Sequence, residues 1–112
     1  MFDGIAMKVA RCGGLWNASR IVSLLRENNL LILASGLTDP DLSLAASVHL
    51  FAWAGLNTPA ALNGPQYISA GGTTDPTFRA NGDIIRVPAA PGLGITLDER
   101  AEKLMTIAAE AA

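Results

Sequence analysis

Apolar residues in the first half of the chain form two short, nearly continuous runs, each followed by a longer stretch with helical spacing. Gly4 to Val9 is mostly apolar and is closed by Gly13-Gly14, the pattern of a parallel strand buried on both faces. Beyond it, Ala18, Ile21, Val22 and Leu25 recur at helical spacing while Ser19, Arg20, Ser23 and Arg26 take the other side. A helix is predicted there, capped by Asn17 and stopped at Asn28-Asn29, since asparagine tolerates the left-handed conformation of a helix end. Leu30 to Ser35 predicts a second buried strand. Asp39-Pro40-Asp41 then predicts a helix start: Asp39 accepts from exposed amides, Pro40 needs no amide partner, and Asp41 meets the positive end of the dipole. That helix is predicted to run to about Ala54, with Leu42, Ala45, Ala46, His49, Leu50 and Trp53 on one face.

Strand, helix, strand, helix is the alternation of a parallel α/β fold. After Leu56 the pattern changes. Pro59 to Pro65 predicts a short third strand, Ser69 to Pro76 a Gly/Thr loop, and Asp83 to Pro88 an edge strand closed by proline. Pro91-Gly92-Leu93-Gly94-Ile95 predicts a turn, and Thr96-Leu97-Asp98-Glu99 a capping box that opens a last helix to about Ala109.

Composition changes this picture mainly by exclusion. The chain has 112 residues, half of them apolar, enough for one small domain with a modest core but not for a complete barrel of about 250 residues. Net charge is −2 and the eight basic residues are scattered, so a nucleic-acid surface is not expected. Cys12 is the only cysteine, which rules out an internal disulfide and fits a reducing compartment. The first residues do not read as a secretory signal, and the longest apolar stretch, Leu42 to Leu56, falls short of the roughly 20 residues that span a bilayer. The expectation is a cytoplasmic protein with no membrane partner.

Lys8, at the carboxyl end of the first predicted strand, is a candidate acid or base. Together with Met7, Val9 and Gly13-Gly14 it belongs to a series of marks: the strand at Leu30 to Ser35, Ala45-Ala46-Ser47-Val48-His49, Gly64-Pro65, Pro91 to Ile95 and Leu97-Asp98-Glu99. In this order they resemble the C-terminal barrel segment of the mandelate racemase and muconate-lactonizing (muconate cycloisomerase-like) group of the enolase superfamily. The resemblance implies an α/β fold, part of a TIM-like (β/α)₇β barrel. Residues 1–67 would supply barrel strands six to eight with their helices, and 68–112 a return segment toward the capping domain. It also implies abstraction of a proton next to a carboxylate by a Mg²⁺-dependent enzyme, acting as a cycloisomerase, dehydratase or racemase on a small carboxylate.

Under that resemblance Lys8 matches the sixth-strand acid/base lysine, and the metal carboxylates and second lysine lie on strands outside this chain. No carboxylate grouping here has obvious Mg²⁺-ligand spacing, so catalysis is expected of a full-length parent and not of this chain alone. Asp39 stands where family members commonly have glutamate; it reaches toward substrate or caps its helix. Asn63 is either a pocket contact or a loop hydrogen bond. Ala61 and Asn63 replace acids that bind substrate ammonium groups, which speaks against dipeptide epimerisation.

His49 reads as a core histidine, Cys12 as a packing residue, and Gly13-Gly14 as a tight turn and not a phosphate loop. A competing expectation is a non-catalytic chain that completes its barrel by associating with the missing N-terminal part of the barrel and capping domain, another polypeptide, or a second copy. Barrel strands with open edges and bare apolar faces favour self-association, and a homo-oligomer is expected. A small independent α/β binding module lacks any motif of its own.

Overall fold

The computed structural model describes residues 2–68, 74–75 and 79–103. Strand β1 (Gly4–Met7) runs parallel to β2 (Leu31–Ala34), and helix α1 (Leu15–Glu27) connects them. Gly4 pairs with Leu31 and Met7 with Ala34. Helix α2 (Asp41–Trp53) follows, and a parallel bridge from Ser35 to Ala61 brings a third segment beside β2. The Ala61 amide donates to the Ala34 carbonyl at 2.9 Å, and the Gly36 amide donates to the Ala61 carbonyl at 3.0 Å. The third strand predicted over 59–65 is thus reduced to one bridge, because the prolines at its two ends offer no amide for a ladder.

β1 is shorter than predicted: Val9 leaves it for a 3₁₀ turn, Val9–Arg11, and Gly13 and Gly14 follow with φ of 75° and 90°. Such angles favour glycine, and the pair swings the chain into α1 three residues before the predicted start. Asn17 is therefore not the cap. It lies in the first turn, where its side-chain amide reaches back to the Gly13 carbonyl at 3.4 Å. The predicted stop is found, with Asn28 at the helix end and Asn29 left-handed at φ 53°.

Burial alternates along the strands. Met7, Val9, Ile32 and Ala34 are buried, and they join Ala18, Val22 and Leu25 of α1 and Leu50, Phe51 and Ala54 at the end of α2 in one core. Both helices therefore cover the same face of the sheet. On the opposite face Leu31 and Leu33 are 56% and 43% exposed. The Arg26 guanidinium donates to the Ala54 carbonyl and ties the ends of the two helices together.

The face predicted for α2 holds in part: Ala45 and Leu50 are buried as expected, and the ends of the predicted stripe are not. Leu42 and Trp53 are exposed, whereas Leu44, Val48 and Phe51 are buried. From Leu42 to Trp53 the helix is apolar nearly all round, so its period defines no stripe, and tertiary neighbours select the buried side. One of those neighbours is the later part of the chain, whose Ile85, Leu93 and Ile95 pack on Leu44, Ala45 and Val48. His49 faces the same segment and donates from Nε2 to the Leu93 carbonyl at 3.1 Å, so its polar edge is satisfied.

The edge strand predicted over 83–88 is absent. Asn81 and Ile84 close a tight turn, and the chain then runs on irregularly, with Pro88 and Pro91 withholding amide donors. Pairing occurs instead between β3 (Thr74–Asp75) and β4 (Thr96–Leu97), which are antiparallel. Thr96 is consequently a strand residue and not a cap. Asp98 takes that role, accepting from the Ala101 amide at 2.7 Å as helical backbone begins over 99–103. The rest of the predicted last helix, and the predicted Gly/Thr loop apart from Thr74 and Asp75, lie outside the described residues. Among the described residues no helix is long and apolar enough to cross a membrane.

Candidate active-site edge

The parallel segments end on one edge of the sheet. Continuing the β1–β2 register by one step sets Lys8 beside Ser35, and Ser35 pairs with Ala61. The Ser35 amide donates to the Met7 carbonyl at 3.0 Å, which holds the start of this row. Because Met7 and Val9 are buried toward the helices, alternation directs the half-buried Lys8 to the other face, the one on which Leu31 and Leu33 are bare. Its backbone is extended, with φ −124° and ψ 111°, and its carbonyl accepts from the Arg11 amide and the Cys12 thiol. Among the described residues no carboxylate pairs with its ammonium.

Asp39 sits in the loop that leaves β2. It is 6% exposed, and its Oδ2 accepts from the Leu37 amide at 3.1 Å. It does not cap α2: Pro40 occupies the cap position, with φ −64° and ψ 163°, and the helix has no side-chain cap. The preference of aspartate for bonding an amide two residues away on its own loop has prevailed over capping. The Asp39 amide donates to the Asn63 carbonyl at 3.1 Å, so the loop after β2 and the end of the third segment are joined through backbone. Asn63 is exposed, next to the partly buried Leu62, whose side chain reaches the core. Lys8, Asp39 and Asn63 thus come from three successive segments at one edge.

Two cavities lie away from this edge. One, of about 680 Å³, is an open depression on the outer side of α1 near Cys12, Arg20 and Leu24. Another, of about 430 Å³, lies between α2 and residues 80–87 and is lined by Phe51, Leu62, Ile85 and Val87, on the helix side of the sheet. Asp41, predicted only to complement the helix dipole, is 2% exposed and bonded to Thr74 and Arg79. Partners more than thirty residues away left no local signal for that pairing.

Among the described residues no three of His, Cys, Asp and Glu come together. The carboxylate of Asp39 turns to its own loop and that of Asp41 to Thr74 and Arg79. The residues present do not fit the oxygen cage that Mg²⁺ requires.

Parallel strands backed by helices on one face define an α/β array, consistent with a barrel of parallel strands. The chain belongs to the enolase C-terminal domain-like family, whose model matches residues 1–101. It is 31% identical over 106 residues to muconate cycloisomerase 1 of Rhodococcus opacus, covering 93% of this chain and 28% of that protein. It is 27% identical over 96 residues to o-succinylbenzoate synthase of Geobacillus kaustophilus, covering 86% of this chain and 26% of that protein. A crystal structure of an enolase-superfamily member from Listeria innocua matches with a TM-score of 0.78 and 26% identity, over 91% of this chain and 28% of that one. The chain therefore spans about a quarter of the length of the relatives it matches.

Proposed function

We propose that this chain forms the last strands of an enolase-type barrel enzyme that removes a proton from the carbon next to a carboxylate. The observation that carries the reading is the placement of Lys8 at the carboxyl end of β1, facing the uncovered side of the sheet. In this reading β1, β2 and the segment at Ala61 are barrel strands six to eight, and residues 68–112 return toward a capping domain. The uncovered face is the barrel interior.

The ε-amine of Lys8, once neutral, takes the α-proton, and the C–H electron pair moves into the carboxylate to give an enediolate. Returned by Lys8 to the same face, the proton only exchanges; racemisation needs a second acid, outside this chain, to protonate the opposite face, and in cycloisomerisation or elimination Lys8 moves the one proton that the bond change requires. An ammonium becomes a base only where a nearby cation and desolvation favour its neutral form, and the remaining strands would supply both. Asn63 and Asp39 are proposed to line the substrate pocket. Mg²⁺ dependence belongs to the reading as a property of the whole barrel, with ligands outside this chain, and a cytoplasmic location goes with it.

The test is hydrogen exchange in D₂O with the native polypeptide that carries this chain. Muconate and N-succinyl-lysine serve as probes, taken from the names of a relative and of a structural neighbour, a racemase from Bacillus cereus that shares the fold at 17% identity. Deuterium gained at the carbon next to the carboxylate is the expected result for at least one small carboxylate in such a panel. No exchange across the panel at millimolar enzyme would sink the reading.

A second reading is favoured by the bare sheet face, with Leu31 and Leu33 exposed: a non-catalytic chain that completes a barrel by association. The 112-residue polypeptide expressed alone should then show a mass by light scattering that rises with concentration. A clean monomer at micromolar concentration would contradict it.

A further inference from the structure

Asp41 is the first residue of α2 and one of the most deeply buried side chains among the described residues, at 2% exposure. One carboxylate oxygen accepts from the Thr74 hydroxyl at 3.2 Å, and the other accepts from Arg79 Nη1 at 3.0 Å. Thr74 is itself buried, whereas Arg79 is 40% exposed at its side chain. A charge this deeply buried persists only when partners compensate its lost hydration, and here a hydroxyl, a guanidinium and the positive end of a helix do so together. The result fastens Thr74 and Arg79 to the start of α2.

That helix start also holds the loop at 36–40. Asp39 precedes Asp41 by two residues, its amide is bonded to Asn63, its carboxylate holds the Leu37 amide, and its backbone lies against Gly64. A change in where α2 begins would therefore move Asp39 and Asn63 together. We infer that Asp41, clamped by Thr74 and Arg79, is a positioning residue that sets the strand-end loop bearing Asp39 against Asn63. It acts through that loop and does not touch substrate. The inference rests on the reading above in treating Asp39 and Asn63 as pocket residues.

The partners differ in what their loss leaves behind. Arg79→Met removes a charged donor from a buried carboxylate that keeps Thr74, whereas Asp41→Asn removes the buried charge itself, keeps an acceptor for Thr74 and leaves Arg79, which already reaches water. In the native polypeptide, Arg79→Met should speed amide exchange at Leu37 and Asp39 about tenfold and raise KM about tenfold with kcat within about twofold. Asp41→Asn should do the same more weakly, and Arg79→Lys, which keeps a cation, should recover most of the loss. The inference is overturned if Arg79→Met leaves exchange at Leu37 and Asp39 unchanged. It is also overturned if kcat falls as far as KM rises. Should Arg79→Met fail to fold, Asp41→Asn decides: faster exchange confined to those two amides supports the clamp, and unchanged exchange removes it. If the native polypeptide shows no turnover, the proposed function fails, while the exchange result still decides whether the clamp sets the loop.

Discussion

Lys8→Ala should lower α-proton exchange by about 10²–10⁴-fold while far-UV circular dichroism and the melting temperature stay close to those of the parent. At about 1.4 kcal/mol per tenfold, that loss is about 3–5 kcal/mol of barrier, more than any other single side chain at this edge is asked to supply. The fold should tolerate the change because Lys8 lies across the sheet from the core, where Met7 and Val9 fill the space against the helices. Truncation removes an amine from the uncovered face and opens no cavity. Lys8→Arg should be almost as inactive, since a guanidinium does not give up its proton near neutral pH. The measurement is deuterium incorporation in the native polypeptide beside a thermal melt of the same sample. Near-normal exchange in Lys8→Ala would end its assignment as the base, and a collapse of the melt would make it a structural lysine.

Gly64→Ala should be among the most damaging single substitutions for stability. Gly64 is buried where the third segment passes the loop after β2, and an added Cβ would stand 2.8 Å from both the amide nitrogen and the carbonyl carbon of Asp39. Those are backbone atoms, tied to Asn63 by a 3.1 Å hydrogen bond, so no rotamer change relieves the overlap. Either the loop or the third segment must shift, at a cost of about 3 kcal/mol by comparison with overpacked cores. Gly55→Ala is the control. Its φ of 54° adds a strain of about 1 kcal/mol, but nothing lies within 4 Å of the new methyl. Chemical denaturation should therefore separate the two variants by about 2 kcal/mol, and equal midpoints would show that the close approach at Gly64 relaxes freely. Activity should fall in Gly64→Ala together with stability, because the same shift separates Asp39 from Asn63.

Both expectations trace to how the strand ends are assembled, and they differ in how far the chain's own pattern foretold them. The runs at Gly4 to Val9 and Leu30 to Ser35 and the spacing of Ala18, Val22 and Leu25 were enough to predict two strands and a helix. A buried strand and an amphipathic helix each write their period into neighbouring residues. Lys8 was legible for the same reason, as a charge placed where an apolar run stops before two glycines. The marks from Met7 to Glu99 carried the family as well, because they depend on order along the chain.

Contacts between distant segments decided the rest. The helix from Asp41 to Trp53 is apolar on nearly every side, so its buried face was chosen by the sheet beneath it and by Ile85, Leu93 and Ile95 lying over it. Prolines at both ends reduced the third strand to one bridge, and the strand predicted at 83–88 gave way to pairing between Thr74–Asp75 and Thr96–Leu97. Asp39 and Asp41 stand on either side of Pro40 and looked alike as helix-start residues. Folding sent the first to a neighbouring amide and the second to Thr74 and Arg79. Local periodicity records which residues seek burial. Which of them meet depends on chain segments tens of residues apart, and only their packing settles the partners of a buried charge.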